Sequence, residues 1–418
     1  MNVLASIVLL PLVLGTILCF WAGRRNTVAR RRLTAWTAGA VTAAALALLL
    51  GQAPAVFQGQ TVLAGSEWIP ALGLNLTFRL DGLALMFAGL ILSIGLLIIL
   101  YAAYYLHHDD PAGKFFTQLM LFMAAMLGIV LSDNLLLLVV FWELTSVSSF
   151  LLVGYWSHKP TARAGARMAL AITGGGGLVM LAGIVLLGQI AGTYELSGML
   201  GRGAEIQAHP LYPVTLCLIL VGCFTKSAQV PFHFWLPQAM AAPTPVSAYL
   251  HSATMVKAGL FMMARLYPVL GGTGLFEGIV ASFGMATMVF AAYVAVFQHD
   301  TKGLLAYSTI ANLGLIVMCA GVGTNETLWA AILLTIFHAV AKALLFRNRK
   351  ARLCRCDVER VVGPRYHRLL RRIDRAVLRH TATSGQAEGE GHNKCACELT
   401  FQVRIHDPVS LHLKLKPG

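Results

Sequence analysis

Charged residues are scarce in this chain. Asp, Glu, Lys and Arg make up 12% of its 418 residues, whereas hydrophobic residues make up 57%. Soluble domains carry about 25% charged residues, so this deficit argues against a soluble enzyme. Acidic residues are the scarcest, with 18 Asp and Glu against 32 Lys and Arg. The composition predicts a membrane protein.

Motifs for cofactors, nucleotides and metals are also missing. The glycine run at 174–177 lacks the strand and the Gly-Lys-Ser/Thr of a phosphate-binding loop, so it favours close helix packing. Two Cys-x-Cys pairs, Cys354 with Cys356 and Cys395 with Cys397, do not have the spacing of the common zinc sites. No nucleophile–base pair for hydrolysis is present. We therefore expect no cofactor, no metal site and no enzymatic activity.

Long apolar segments fill most of the chain. A spanning helix needs about 20 mostly apolar residues, and eleven segments meet this requirement. They lie near residues 3–22, 34–52, 82–105, 115–132, 134–156, 168–190, 211–235, 245–267, 276–298, 303–322 and 327–346. The sequence predicts an all-α, polytopic integral membrane protein with about eleven transmembrane helices.

Basic residues show how these segments are oriented. If the chain crosses the membrane eleven times, the loops on the same side as the loop at 23–33 hold ten Lys and Arg, and the loops on the opposite side hold three. Because cytoplasmic loops are enriched in Lys and Arg, that loop is predicted to be cytoplasmic and the N-terminus to lie outside. This distribution is a topology signal and not the basic patch of a nucleic-acid-binding protein.

The character of the chain changes after Phe346. Residues 347–418 hold 16 of the 32 Lys and Arg and show little periodicity. We divide the chain into a transmembrane ion-translocating domain, 1–346, and a basic polar tail, 347–418, predicted to be disordered or aberrant. Tyr366 to Val377 has apolar residues at helical spacing between arginines. That pattern is also typical of an amphipathic helix at a membrane surface.

Ionisable residues inside the predicted spans are few. They are Glu143, Lys226, His251, Lys257, His338 and Lys342. A charge in hydrocarbon costs roughly 2.5–3.5 kcal/mol on insertion scales, so such residues are functional candidates. A desolvated lysine can exchange protons near neutral pH. We hypothesise that Glu143 and Lys226 form a switching pair and that His251 and Lys342 pass protons onward. The alternative is a set of buried ion pairs that only fixes helix packing.

Two prolines follow Lys226 closely. Pro231 and Pro237 cannot donate backbone hydrogen bonds, so they predict a broken helix with free carbonyls beside the lysine. The alternative is an ordinary helix end.

Six stretches resemble one protein family. They are Leu80–Ala84 (LDGLA), Phe141–Ser146 (FWELTS), Val230–Pro237 (VPFHFWLP), Ala242–Gly259, Leu304–Ile310 and Phe337–Leu344. The sequence resembles the large subunit of Mrp-type sodium/proton antiporters, the one designated A, in a family related to the antiporter-like membrane subunits of respiratory complex I.

The resemblance implies an antiporter-like fold of two inverted five-helix repeats, each with one broken helix, around a hydrophilic axis. Glu143 and Lys226 would be the pair of the first repeat, His251 would lie on the axis, and His338 with Lys342 would belong to the second. The family continues with further helices where this chain diverges after Phe346. We therefore expect an incomplete second repeat, from a truncation, deletion or frameshift.

The implied function is a subunit of a multi-subunit monovalent cation (Na⁺)/proton antiporter in the plasma (inner) membrane of a prokaryote. Its partners would be the other subunits, Na⁺, H⁺ and the lipid bilayer, with no nucleic acid. Two alternatives stay open. One is a proton-pumping, antiporter-like membrane subunit of a complex I-type NADH:quinone oxidoreductase. The other is a remnant that inserts into the membrane without transporting ions.

Overall fold

Helices dominate the structure, a computed structural model that describes residues 3–23 and 27–347. In chain order the helices are α1 (Val3–Leu9), α2 (Thr16–Ala22), α3 (Val28–Phe57), α4 (Gly82–Tyr105), α5 (Ala112–Leu131), α6 (Leu135–Val153), α7 (Pro160–Ala191), α8 (Leu196–Met199), α9 (Gly203–Gln207), α10 (Tyr212–Lys226), α11 (Trp235–Ala239), α12 (Thr244–Ser252), α13 (Met255–Leu270), α14 (Gly274–Val296), α15 (Thr301–Val322) and α16 (Asn325–Arg347). Except for Arg347, the predicted tail lies outside the described residues, as does its stretch from Tyr366 to Val377.

Nine helices of the described part are long and apolar enough to cross a membrane. The first is formed by α1 and α2 with the π-helical turn Leu10–Gly15 between them, and the others are α3 to α7 and α14 to α16. Large apolar side chains such as Phe57, Val296 and Phe337 are exposed on these helices. Exposed apolar surface on long apolar helices is expected where lipid is the solvent. The chain is therefore a polytopic, mostly helical membrane protein.

Of the eleven predicted spans, nine correspond to long apolar helices of the described part, and the other two segments are each divided into shorter helices. The segment 211–235 is broken because α10 ends at Lys226 and a 3-10 turn at Phe232–Phe234 precedes α11. This confirms the predicted helix break. The segment 245–267 is divided between α12 and α13. There the Tyr249 carbonyl accepts from the Ala253 amide at 3.3 Å and also from the Thr254 hydroxyl at 2.8 Å.

The prediction of an all-α fold is wrong at one place. Strands β1 (Val62–Ile69) and β2 (Leu74–Leu80) form an antiparallel hairpin between α3 and α4. Gly73, at φ 67°, provides the left-handed residue just before β2. The sequence of β2, Leu-Asn-Leu-Thr-Phe-Arg-Leu, alternates apolar and polar residues, which is the period of a strand.

Loops between helices extend the edge of this hairpin. Phe78 of β2 bridges Ser132 in the α5–α6 connection, and Asn134 in that connection bridges Glu195 before α8. The amide of Asp133 donates to the Thr77 carbonyl at 2.9 Å, and the amide of Leu196 donates to the Asp133 carbonyl at 2.8 Å. The free edge of β2 is thus covered and the helix ends on this side are tied together.

Helix α5 lies at the centre of the described part. Nearly all of its residues are buried, including Phe115, Phe122 and Met123. The other long helices bury a smaller share of their residues. Helices α6 and α13 pack against α5, and the candidate residues Lys226 of α10 and Lys257 of α13 are fully buried.

Candidate functional site

Lys226 lies at the last position of α10 and is fully buried. Its ammonium donates to the Trp142 carbonyl of α6 at 3.0 Å and to the Ser146 hydroxyl at 2.8 Å. The ammonium also lies 5.0 Å from the centre of the Trp142 ring. The negative end of the α10 dipole favours a cation at this position. Oxygen atoms and a helix end, rather than a direct carboxylate partner, therefore hold this lysine.

Glu143 is half-buried on α6, one turn from Ser146. Its carboxylate interacts electrostatically with Lys226 but is not within 4.0 Å of the ammonium. Its Oε1 atom is buried and has no hydrogen-bond partner among the described residues. The predicted pair is thus adjacent but not in direct contact, and the Ser146 hydroxyl binds the lysine in place of the carboxylate.

The glycine run of α7 makes room for these side chains. A Cβ atom built on Gly177 would lie 1.7 Å from Glu143 Oε1, and one on Gly176 would lie 1.9 Å from the Thr225 hydroxyl oxygen. Gly175, in contrast, has nothing within 4 Å. The predicted role of the run in close packing is confirmed at two of the four glycines. One of these positions accommodates the candidate carboxylate itself.

Trp235 connects the broken helix to His251. Its indole N–H donates to the carbonyl of Thr225 at 2.9 Å, and Thr225 directly precedes Lys226 in the chain. The ring centres of Trp235 and His251 are 6.0 Å apart. The carbonyl at the break is therefore occupied by an indole, not left free beside the lysine as the sequence suggested. His251 is fully buried, and neither of its ring nitrogens has a hydrogen-bond partner among the described residues.

Helix α16 brings together the remaining three candidates. Lys257, in the first turn of α13, donates to the Thr335 carbonyl of α16 at 2.6 Å. His338 and Lys342 are both buried, one turn apart on α16. The Lys342 ammonium donates to the Ser308 hydroxyl of α15. Both ring nitrogens of His338 lack a partner in the part of the chain that the structure describes.

The six predicted residues thus form two groups with His251 between them in the sequence. Glu143 and Lys226 lie on α6 and α10, and the other group lies on α13 and α16. Sequence reasoning missed the neutral groups that bind the lysines: Trp142, Ser146, Ser308 and Thr335. Trp142, Ser146 and Ser308 lie inside the family-like stretches Phe141–Ser146 and Leu304–Ile310, which is the signal that could have found them. Thr335 carries no such signal, because threonine is common inside membrane helices.

A separate charged cluster lies at the hairpin, outside the spanning helices. Asp81 caps α4, pairs with Arg79 at 3.0 Å and also pairs with the buried Arg265 of α13. Burial opposes ionisation of the Asp81 carboxyl. The hydrogen bond and positive charge of Arg265 favour the ionised form, as do the hydrogen bonds from the Ala84 amide and Arg79, and together these contributions exceed the effect of burial. They lower the pKa of Asp81 to about 2. This cluster fastens the hairpin to α13.

Comparison with known proteins decides the family. Residues 132–357, more than half of the chain, match the family model described as NADH:quinone oxidoreductase/Mrp antiporter, TM. The chain belongs to this family. Residues 68–116 match a second model, NADH-Ubiquinone oxidoreductase (complex I), chain 5 N-terminus. The resemblance inferred from the sequence motifs is confirmed, and both candidate groups lie within the first match.

Curated relatives of the family are much longer than this chain. The probable A/B subunit of a K(+)/H(+) antiporter of Rhizobium meliloti is 52% identical over 317 residues, which cover 76% of this chain and 32% of the relative. The A-type subunit of a Na(+)/H(+) antiporter of Alkalihalophilus pseudofirmus is 46% identical over 294 residues, covering 67% of this chain and 36% of the relative. The chain spans about a third of the length of these two relatives.

Solved structures show the same architecture. The Mrp complex of Dietzia sp. DQ12-45-1b contains a chain that is 37% identical, with a TM-score of 0.71 over 80% of this chain and 36% of that chain. The membrane-bound sulfane sulfur reductase, an archaeal respiratory membrane complex, gives a TM-score of 0.73 over 83% of this chain and 70% of that chain. At 23% identity the second similarity shows the fold alone.

Proposed function

We propose that the chain belongs to a subunit of a multi-subunit monovalent cation (Na⁺)/proton antiporter and that it moves protons along its buried lysines and histidines. One observation supports this most directly. Lys226, Lys257 and Lys342 are buried, and no carboxylate of the described residues lies within 4.0 Å of their ammonium groups. Their hydrogen-bond acceptors are carbonyl and hydroxyl oxygens.

A structural role does not explain such lysines well. Removing the carboxylate partner from a buried ion pair destabilises proteins by about 3–5 kcal/mol, so helix packing alone would favour paired or apolar residues here. Neutral acceptors, in contrast, suit a group that is charged in one step and neutral in the next. The proposal therefore assigns proton loading and release to these three lysines.

The two histidines and their surroundings supply the connections. Buried polar atoms nearly always bond to protein or to water. Both ring nitrogens of His251 and of His338, and the Ser247 hydroxyl, have no partner among the described residues. We infer that water occupies these places and links the lysine sites. A neutral imidazole can accept a proton on one nitrogen while the other donates one, so each histidine can relay protons.

Glu143 gives the first step its direction. When its carboxylate moves toward Lys226, the ammonium is stabilised, and when it moves back against Gly177, the lysine is left with neutral acceptors only. Proton release toward His251 then becomes favourable. Within this proposal, the two groups of residues belong to two inverted repeats, and the coupled cation is an alkali metal ion supplied through the complete assembly.

The test is antiport in inverted membrane vesicles. The chain is expressed with the other antiporter subunits in a bacterial host that lacks its own antiporters, and a pH-sensitive dye reports proton movement on addition of Na⁺ or K⁺. We expect a cation-dependent signal that is lost in Glu143→Ala and in Lys226→Ala. Arg202→Gln, at a partly exposed residue outside the spans, is the control and should transport normally. Wild-type rates in both site variants would remove the proposed pair.

A redox-driven pump is the competing function, because the family model includes NADH:quinone oxidoreductase subunits. It predicts proton movement driven by a respiratory substrate rather than by a cation gradient, and copurification with iron–sulfur subunits. Purification with antiporter subunits and a response to Na⁺ or K⁺ without respiratory substrate would favour antiport.

A further inference from the structure

A groove between α3 and α4 is separate from the candidate site. Its volume is about 950 Å³, which lies at the upper end of the range for ligand pockets. Ala35, Gly39 and Ala43 line it at every fourth position of α3, and Leu96 and Leu100 line it on α4. Small side chains thus form the floor of the groove, and leucines form one wall.

One end of the groove is basic. Arg31 and Arg32 line it there. Arg31 is anchored by a hydrogen bond of 2.7 Å to the Leu106 carbonyl, and Arg32 is exposed. No carboxylate of the described residues lies within 4.0 Å of either guanidinium. A guanidinium has five donors in a planar fork, a geometry that suits phosphate oxygens.

Aromatic residues flank the same end. Trp36 is 78% exposed and Tyr104 is 85% exposed, and both line the groove. Trp and Tyr are enriched at the level of lipid headgroups, where their rings meet both water and hydrocarbon. The basic end therefore lies at the membrane interface, and the alanine and glycine floor extends from it into the hydrocarbon region.

The length of the floor matches one leaflet. From Arg32 to Ala43 the helix rises about 17 Å, at 1.5 Å per residue. Half of a bilayer's hydrocarbon core is about 15 Å. The groove is open along this length: a Cβ atom on Gly39 would meet only Ile99, at 4.0 Å. An acyl chain placed with its headgroup at the arginines would end near Ala43.

We propose that this groove binds an anionic phospholipid, with the phosphate on Arg31 and Arg32 and one acyl chain over Ala35, Gly39 and Ala43. Two cations that have no carboxylate partner among the described residues complement a negatively charged headgroup, whereas a zwitterionic lipid brings its own compensating cation. The bound lipid fills the space between α3 and α4 on the lipid-facing side. It stabilises the contact between the two helices that carry the β hairpin between them.

Trp36 provides a local probe. The full chain is reconstituted in phosphatidylcholine vesicles that contain equal fractions of either dibrominated phosphatidylglycerol or dibrominated phosphatidylcholine. Bromine quenches tryptophan at short range, so the difference between wild type and Trp36→Phe isolates the signal from the groove. We expect stronger quenching of Trp36 by the brominated phosphatidylglycerol.

Three variants separate charge from shape. Arg32→Gln should lower the preference for phosphatidylglycerol about fivefold, as expected for the loss of one basic residue at an anionic surface. Arg167→Gln, an exposed arginine on the same predicted side of the membrane, removes an equal charge elsewhere and should leave the preference intact. Ala43→Phe keeps the charges but blocks the floor, and should weaken quenching by both lipids.

Equal quenching of Trp36 by the two lipids in wild type would overturn the proposal, as would equal effects of Arg32→Gln and Arg167→Gln. In the assembled complex, protection of Trp36 from both brominated lipids would also overturn it. That result would show that another protein of the complex, and not lipid, covers the groove.

Discussion

Gly177→Ala is the smallest change that tests the proposed movement of Glu143. The new Cβ atom would lie 1.7 Å from Glu143 Oε1, 2.9 Å from its Cδ and 3.0 Å from Trp142 Cδ1. A carbon and an oxygen that are not bonded approach to about 3.3 Å. The carboxylate must therefore move by about 1.6 Å. It can then no longer occupy the position beside residue 177 of α7, to which it returns in the proposed cycle.

The magnitude follows from this displacement. A misplacement of about 1 Å at a reacting group can lower a rate about 100-fold. We expect Gly177→Ala to lower cation-dependent proton movement by about 10- to 100-fold. Alanine also favours a helix over glycine by about 0.8–1 kcal/mol, so a loss of transport would not come from weaker helix formation.

Gly175→Ala is the matched control. It is the same substitution two residues away on α7, but nothing lies within 4 Å of its Cβ position. We expect this variant to keep wild-type transport and to unfold at the same or a higher temperature. Both variants are compared in inverted vesicles at equal protein level, with thermal unfolding followed in detergent. Equal transport by the two variants would refute the reasoning.

Three further outcomes concern stability. Asp81→Asn leaves the buried Arg265 without its carboxylate and should destabilise the protein by about 3 kcal/mol in detergent unfolding, whereas Arg202→Gln, at the partly exposed pair of Arg202 and Glu205, should have a much smaller effect. Folding lowers the pKa of Asp81 from 3.8 to about 2, so its stabilisation is present above about pH 4 and is lost as the pH falls toward 2. Unfolding temperatures of Asp81→Asn should lack that dependence. Trp235→Phe removes the indole donor from the Thr225 carbonyl, which keeps a 3.4 Å bond from the Ala228 amide, and should cost about 0.5–1.5 kcal/mol in the same assay.

The helices could be predicted from the sequence because each is long and apolar. The hairpin was missed, although Leu74, Leu76, Phe78 and Leu80 alternate with polar residues. A strand of seven residues is too short to stand out when segments of about 20 residues are compared. The break at Lys226 could be predicted from Pro231, but the one after α12 has no proline to signal it.

The candidate residues could be predicted because an ionisable group is conspicuous in an apolar helix. Their partners could not, because each lysine binds an oxygen on a helix distant in the sequence, as Lys257 does at Thr335 and Lys342 at Ser308. The glycine run was predicted to pack closely. That Gly177 receives a carboxylate depends on how α6 and α7 are aligned, which only tertiary structure provides.

Lys226→Arg tests the central claim that this lysine changes its charge during transport. Arginine keeps the positive charge because its pKa exceeds about 12. The variant is expressed with the full set of antiporter subunits, its assembly is checked by copurification, and its cation-dependent proton movement is measured in inverted vesicles. We expect an assembled complex with no antiport. Antiport at the wild-type rate in an assembled complex would contradict a role for Lys226 as a proton carrier.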